Sequence, residues 1–160
     1  MATTKARQKD ACDLLDADHK AVTRMFKEYE ELVEAGGNTR QKRRLLAEKI
    51  CNELSVHTQI EEEIFYPPLR KALKDKMLLD EAEVEHSSAK ALIAEIREME
   101  PGDALFDAKV KVLGEYVDHH VKEERKEMFP EARDSKVDLV GMRETLQARK
   151  DELMAGLERV

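Results

Sequence analysis

The sequence predicts an all-α protein, an up-down-up-down antiparallel four-helix bundle with an additional C-terminal helix. Apolar residues recur at alternating steps of three and four along five long stretches, which is the spacing of a buried helix face. The six glycines and four prolines fall mostly between these stretches, where they indicate turns. Long amphipathic helices with short connections pack antiparallel around a shared core. A chain of 160 residues is expected to form one such domain.

The first helix is predicted over residues 9–35 and the second over residues 40–66. Gly36 and Gly37 indicate the end of the first helix. The proline pair that starts at Pro67 is predicted to end the second. The inward faces carry Cys12, Leu15, His19, Val22, Phe26, Tyr29 and Val33 in the first helix, and Leu46, Ile50, Leu54, His57, Glu61 and Ile64 or Phe65 in the second.

The third helix is predicted over residues 77–99, the fourth over 104–128 and a fifth over 137–157. We expect the bundle to span residues 9–134, and the C-terminal helix within residues 135–160 to pack on the bundle or at a subunit interface. The inward faces carry Leu79, Ala82, His86, Ala89, Ile93 and Ile96 in the third helix, Phe106, Val110, Leu113, Val117, His120, Glu124 and Met128 in the fourth, and Leu139, Met142, Leu146, Arg149 or Lys150, Leu153 and Leu157 in the fifth.

One motif occurs twice within these helices, as His57 with Glu61 and as His120 with Glu124. In each copy the carboxylate follows the histidine by four residues, an aromatic residue follows it by nine and a proline by ten. Residues four apart share one face of a helix. Each copy therefore aims one imidazole nitrogen and one carboxylate oxygen in the same direction, which suits two ligands of one metal ion.

The fourth helix also contains a neighbouring pair with the same spacing, His119 and Glu123. That pair lies about 100° round the helix from His120 and Glu124. Its line along the helix is also partly apolar, so periodicity alone does not exclude it. Because His120 and Glu124 lie on the longer apolar stripe, we predict that they are the inward-facing pair.

Four helices place six inward-facing donors in one layer. At ~1.5 Å of rise per residue, the donors on antiparallel neighbours agree in height to roughly 3 Å. The candidate metal ligands are His19, His57, Glu61, His86, His120 and Glu124. Two carboxylates buried without a partner would be costly, and a metal removes that cost for both. Six donors are more than one tetrahedral zinc site can use. They suit two metal ions bridged by Glu61 and Glu124. The mixture of imidazole and carboxylate donors favours iron, with manganese or zinc as alternatives.

Two further side chains lie one helical turn from the predicted ligands. Tyr116 precedes His120 by four residues, and Lys90 follows His86 by four. Either side chain is within reach of the layer. Ordinary packing would also account for Tyr116, and an exposed helix face would account for Lys90.

These motifs resemble those of the hemerythrin-like, HHE cation-binding family. The resemblance covers about residues 14–130 and includes the early His19, preceded by Asp18, the Glu85-His86 pair and both histidine–glutamate motifs. It implies a four-helix bundle that carries a non-haem di-iron centre, often with an oxo or hydroxo bridge. The ligands that it implies are the same six residues. The C-terminal helix is also similar to this family's C-terminal extension.

The sequence differs from the oxygen-carrying hemerythrins at two positions. Those proteins have a second histidine one turn after the third-helix histidine, where this chain has Lys90. They use a carboxylate five residues after the fourth-helix histidine, where this chain has Arg125, with Glu124 one residue earlier. The set of four histidines and two glutamates is similar to the sites of iron-sulfur cluster repair proteins. The N-terminal cysteine-bearing segment of those proteins has no counterpart here, since Cys12 lies within the first predicted helix.

Charge and hydropathy exclude several other classes of function. The formal net charge is −7, so duplex DNA or an anionic membrane would be repelled on average, and we expect no nucleic-acid partner. No apolar run is long enough to span a bilayer, and no apolar segment follows the polar N-terminus. We therefore expect a cytoplasmic protein with no membrane partner, in which Cys12 and Cys51 are reduced thiols.

The predicted site supports three classes of function. The first is a non-haem di-iron protein whose open iron position meets O2, NO or peroxide, in stress response, sensing or a role like iron-sulfur repair. The second is a di-iron oxidase or peroxidase-like enzyme, for which the sequence indicates no catalytic residue and no pocket for an organic substrate. The third is a metal-stabilised protein-interaction module, or an oligomer, that uses the C-terminal helix.

Overall fold

Four long helices form the walls of the bundle in a computed structural model that describes residues 7–158. In chain order the helices are α1 (Ala11–Ala35), α2 (Arg40–Ile60), α3 (Tyr66–Ala72), α4 (Lys76–Arg97), α5 (Phe106–Glu123), α6 (Phe129–Asp134) and α7 (Leu139–Glu158). Helix α1 contacts α2, α2 contacts α4, α4 contacts α5, and α5 contacts α1, which closes a four-helix bundle. The predicted all-α fold is confirmed. Within the described range, no helix is both long enough and apolar enough to cross a bilayer.

Side-chain caps set the ends of the long helices. Asp10 and Asp13 form a capping box at the start of α1, in which each carboxylate accepts a hydrogen bond from the other residue's backbone N–H. At the other end, Gly36 has a φ of 67°, a conformation that glycine adopts at little cost. Asp75 caps α4 by accepting a hydrogen bond from the backbone N–H of Met77.

The proline pair that starts at Pro67 does not end the second helix, so that prediction was wrong. Helix α2 runs into a π-helical turn, Glu61–Phe65, and continues as α3 through Pro67. Helix α5 does the same through the turn Glu124–Met128 and Pro130 into α6. The prolines lie in the first turn of each new segment, where their missing N–H is not needed. Each π turn begins at a glutamate of the repeated motif, and such turns are frequent at functional sites.

A layer of buried polar side chains divides the apolar core into two clusters. The cluster next to α3, α6 and α7 includes Leu15, Ile60, Phe65, Leu69, Leu79, Met128, Phe129 and Leu146. The opposite cluster includes Val22, Tyr29, Ile50, Leu54, Ile93, Ile96, Phe106, Val110 and Leu113. The polar layer contains Asp18, His19, His57, Thr58, Glu61, His86, His120 and Glu124. Buried polar groups are costly unless they are paired, so this layer marks the functional part of the bundle.

The C-terminal helix α7 packs across α1 and α2 of the same chain. Leu139 and Leu146 are buried in the cluster that also contains α3 and α6, and Leu153 packs against that cluster. On the same helix, Lys150 reaches inward to Asp18 in the polar layer. Helix α7 therefore covers one apolar end of the bundle and also contacts the polar layer.

Gly114 lies inside α5 because a neighbouring ring needs the space. A Cβ atom built at this position would lie 3.0 Å from Cδ1 of Phe26, closer than ordinary van der Waals contact. The absent side chain lets the Phe26 ring of α1 rest directly on the α5 backbone. This close approach offsets the lower helix propensity of glycine.

Candidate metal centre

Six side chains from the four long helices meet in the polar layer. Helices α1, α2, α4 and α5 contribute one histidine each, and the two glutamates stand at the first positions of the π turns. They are His19, His57, Glu61, His86, His120 and Glu124, none more than 9% exposed. Their ligand atoms form two overlapping groups of four, each with two imidazoles and both carboxylates. The structure thus brings all six predicted residues together, while their role as metal ligands stays a prediction.

The first group has the spacing of donors around one ion. The Nε2 atoms of His19 and His57 lie 3.1 Å apart. His57 Nε2 is 2.6 Å from Glu61 Oε1, and His19 Nε2 is 3.3 Å from Glu124 Oε2. Two donors that each bind an ion at ~2.1 Å lie roughly 3.0–3.4 Å apart when their bonds enclose roughly 90–109°. Most of the spacings in this group are close to that range.

The second group is similar but more open towards one glutamate. The Nε2 atoms of His86 and His120 lie 3.3 Å apart, and His120 Nε2 is 2.6 Å from Glu124 Oε1. His86 Nε2 stands 3.8 Å from Glu61 Oε1. Both glutamates therefore face both groups, which is the arrangement that a pair of bridging carboxylates requires.

Three of the four oxygens of the two buried carboxylates lack a hydrogen bond from the described residues. Both oxygens of Glu61 and Oε2 of Glu124 are buried without a hydrogen-bond partner among the described residues. Burial and the neighbouring Glu124 carboxylate raise the pKa of Glu61 to about 7. Unpaired buried acids are rare because they are costly. A divalent cation would satisfy both carboxylates, so this donor set fits a metal.

Carboxylates behind the imidazoles orient the ring nitrogens. His57 Nδ1 donates a hydrogen bond to Asp18 Oδ2 at 3.0 Å, and His120 Nδ1 donates to Glu85 Oε1 at 3.3 Å. A proton held on Nδ1 leaves the lone pair on Nε2, which points into the site. The other two rings face carboxylates at longer distances: His19 Nδ1 is 3.5 Å from Asp16, and His86 Nδ1 is 3.6 Å from Glu62.

Three of these four outer carboxylates also pair with a basic side chain. The pairs are Asp16 with Arg125, Asp18 with Lys150 at 2.5 Å, and Glu62 with Lys90 at 2.6 Å. Lys90 therefore contacts the outer ring of carboxylates and not an imidazole. The sequence placed Arg149 or Lys150 on the inward face of the fifth helix but did not predict the contact of Lys150 with Asp18, because that contact joins parts of the chain that are distant in sequence.

Tyr66 lies at the centre of the second group, although the sequence analysis did not identify it. Its hydroxyl group donates a hydrogen bond to Glu124 Oε1 at 2.7 Å and lies 3.2 Å from His86 Nε2 and 3.3 Å from His120 Nε2. Burial and the Glu124 carboxylate raise the pKa of Tyr66 well above its ordinary value. The phenol therefore keeps its proton and presents it inside the site.

A signal for Tyr66 was present in the repeated motif. It is the aromatic residue nine positions after His57, and Phe129 holds the same position after His120. One hydroxyl group thus makes the two halves of the site unequal. Tyr116, which the sequence suggested as an outer contact, is 47% exposed and lines the cavity beside the site.

The alternative pair on α5 lies at the surface. The His119 side chain is 69% exposed, and its Nε2 atom lies 3.1 Å from Glu123 Oε1. His120 and Glu124 are buried in the layer. The longer apolar stripe therefore identified the inward-facing pair correctly.

A cavity of about 30 Å³ adjoins the donors. The four imidazoles of the layer and apolar side chains such as Val22 and Leu54 line it. A space of this size holds about one water-sized molecule. Glu85 and Tyr116 line both this cavity and a larger surface groove between α4 and α5.

A named relative and a solved structure resemble this chain. The DNA nickase of Nostoc sp. strain PCC 7120 is 28% identical over 126 residues, which are 77% of this chain and 33% of that protein. The chain thus spans about a third of that relative's length. A crystal structure of a Hemerythrin HHE cation binding domain-containing protein from Mycobacterium kansasii superposes with a TM-score of 0.77 at 18% identity, covering 92% of this chain and 89% of that one, which shows a shared fold.

The family comparison covers the whole bundle. The Hemerythrin HHE cation binding domain family matches residues 10–132, a segment that contains all six buried donors and both π turns. This agrees with the resemblance seen in the motifs, with the superposed fold and with the donor chemistry of the polar layer. The chain belongs to the hemerythrin HHE cation-binding domain family.

Proposed function

We propose that this protein is a non-haem di-iron protein whose buried centre binds a small molecule such as O2, NO or peroxide. The main support is the pair of overlapping donor groups, in which two glutamates face two sets of two imidazoles. Mixed imidazole and carboxylate donors suit iron. Such a centre would serve in stress response, sensing or a role like iron-sulfur repair, and we place the protein in the cytoplasm.

The size of the inner cavity supports a small ligand. About 30 Å³ beside the imidazoles accommodates a diatomic molecule or a peroxide but excludes an ordinary organic substrate. The apolar residues Val22, Leu54 and Ala89 line the same space. They limit the number of water molecules that reach the donors.

Bound iron would supply a redox-active Lewis acid at this position. The protein's own side chains then orient the imidazoles and offer a proton to the bound molecule. The carboxylates of Asp18 and Glu85 hold His57 and His120 in the orientation that turns Nε2 inward. Tyr66 carries an O–H group into the site, where it can donate a hydrogen bond to a small bound molecule.

The same tyrosine favours peroxide turnover as a second candidate function. Cleavage of an O–O bond needs a proton on the departing oxygen, and the Tyr66 hydroxyl lies among the donor atoms, where it can supply one. The enzyme would then be oxidase or peroxidase-like. Steady-state consumption of hydrogen peroxide by the iron-loaded protein with an added electron donor that is oxidised in step, lost in Tyr66→Phe, would favour turnover over simple binding.

Metal analysis and optical spectroscopy test the main proposal. We expect two iron ions per chain and an absorption spectrum that changes when peroxide, or NO without oxygen, is added. The variant His57→Ala should lose iron and the spectral response together. A purified protein that takes up no iron, or iron whose spectrum responds to neither molecule, would contradict the proposal.

The named Nostoc relative raises DNA as a separate partner. The formal net charge of −7 opposes binding to a polyanion, and we propose no nucleic-acid partner. We expect supercoiled plasmid to stay intact with the iron-loaded protein and no peroxide. Relaxation of the plasmid that depends on His57 would overturn this expectation.

A further inference from the structure

The His119–Glu123 pair at the surface of α5 lies beside a second carboxylate, which comes from the neighbouring helix. His119 and Glu123 are one turn apart on α5, and Glu85 faces them from α4. The three residues line a groove of about 650 Å³ between α4 and α5, and Tyr116 also lines it. The buried centre uses neither His119 nor Glu123.

The donor atoms of this cluster are spaced as ligands of one ion. His119 Nε2 lies 3.1 Å from Glu123 Oε1 and 3.9 Å from Glu85 Oε2. All three donor atoms lie within 4.8 Å of one another. Two donors at ~2.1 Å from a common ion are separated by roughly 3.0–4.2 Å, depending on the bond angle, and both distances fall in that interval.

Glu85 differs from the other three outer carboxylates in its charged neighbours. Asp16, Asp18 and Glu62 each pair with a lysine or arginine. Among the described residues, no lysine or arginine lies within 4.0 Å of the fourth outer carboxylate, Glu85.

The carboxylate of Glu85 divides its two oxygens between two neighbours. Oε1 accepts the hydrogen bond from His120 Nδ1. Oε2 is buried, points towards His119 and has no hydrogen-bond partner in the described part of the chain. Glu123 brings a second carboxylate to the same imidazole, with its Oε1 atom 3.1 Å from His119 Nε2. A positive ion between these carboxylates would remove their repulsion and satisfy the buried oxygen.

We propose that Glu85, His119 and Glu123 form a second, peripheral site that binds one divalent transition-metal ion. One imidazole and two carboxylates suit Zn2+, Fe2+ or Mn2+. Water would complete the coordination of the ion, because the site is open to solvent on the side where His119 lies. Since Glu85 and Tyr116 line both the groove and the inner cavity, an ion held here stands where the surface meets the buried centre.

Zinc binding to the iron-loaded protein tests this site. Isolated protein of known iron content is titrated with Zn2+, and bound zinc and released iron are measured together after equilibrium dialysis. We expect one additional Zn2+ per chain with no iron released. His119→Ala and Glu123→Gln should each weaken this binding by about tenfold or more. Glu85 is left unchanged because it also holds His120.

Asp118→Asn is the matched control, because it removes one exposed carboxylate beside His119 that pairs with Lys122. This variant should bind the additional zinc as the unchanged protein does. Three outcomes would overturn the proposal: no additional zinc, zinc that enters only as iron leaves, or equal zinc binding in His119→Ala. The iron content of the starting protein tests the buried centre separately, so failure of one site is distinguishable from failure of the other.

Discussion

Lys150 on the C-terminal helix should influence the metal affinity of a centre that it does not touch. Its Nζ atom lies 2.5 Å from Asp18 Oδ1, and Asp18 Oδ2 accepts the hydrogen bond from His57 Nδ1. The side chains of Asp18 and Lys150 are only 8% and 25% exposed, so solvent screens their interaction weakly. The variant Lys150→Met keeps the length and the apolar part of the side chain but removes the charge.

The expected effect follows from the chain of contacts. Loss of an outer hydrogen-bond partner of a metal ligand lowers metal affinity by about 10–100-fold, or about 1.4–2.7 kcal/mol. Asp18→Asn removes the direct partner of His57 and should approach the larger value. Lys150 acts one contact further out, so Lys150→Met should lie near about tenfold.

Competition with a chelator measures this effect, since the fraction of metal retained at equilibrium reports relative affinity. Arg149→Met is the matched control: Arg149 is the adjacent residue on α7 and pairs with the partly exposed Glu63. A surface pair of that kind contributes at most about 1 kcal/mol to stability, and the control should retain metal as the unchanged protein does. If Lys150→Met and Arg149→Met retain metal equally, Lys150 does not act through Asp18 on His57.

Three further changes probe the site and the fold. His57→Ala or Glu61→Ala should remove far more metal from the isolated protein than His119→Ala. Equal losses on metal analysis would contradict the assignment of His120, rather than His119, to the inward face of α5. Tyr66→Phe removes the hydroxyl bonded to Glu124 but keeps the ring, so the iron-loaded protein should retain its metal with a shifted absorption spectrum; an unchanged spectrum would argue against contact with the centre. Leu146→Ala empties a fully buried position and should cost about 2–5 kcal/mol, lowering Tm by roughly 4–20 °C in thermal unfolding; a smaller shift would mean that α7 adds little to the core.

Periodicity was sufficient to predict the bundle and the position of the inner donors. Helical spacing places every third or fourth residue on one face, so an apolar stripe that includes His57 and Glu61 already implies that both side chains point inward. Counting residues from the turns then sets their height, because the rise of a helix is constant. Periodicity alone did not exclude His119; the longer apolar stripe favoured His120, and the structure has His120 buried and His119 exposed.

Tertiary packing alone decided which side chains surround and support the six predicted ligands. Asp18 meets Lys150, and Arg125 meets Asp16, across more than a hundred residues of sequence. No local pattern records such contacts. Packing also decides where the π turns form. A π turn holds one residue more than an α-helical turn, and at Glu61–Phe65 this extra residue lets Glu61 and Tyr66 face the same site.

The sequence by itself determined which helix faces carry the buried donors and at what level, because both follow from the geometry of a single helix. Val33 and Leu157, which were also predicted to face inward, are 41% and 37% exposed. Only the tertiary structure decided which side chains hold the buried donors in place, that Tyr66 enters the centre, and that α7 contributes to it. Those features depend on how separate helices rotate and approach one another, and burial and charge pairing across the whole molecule set that approach.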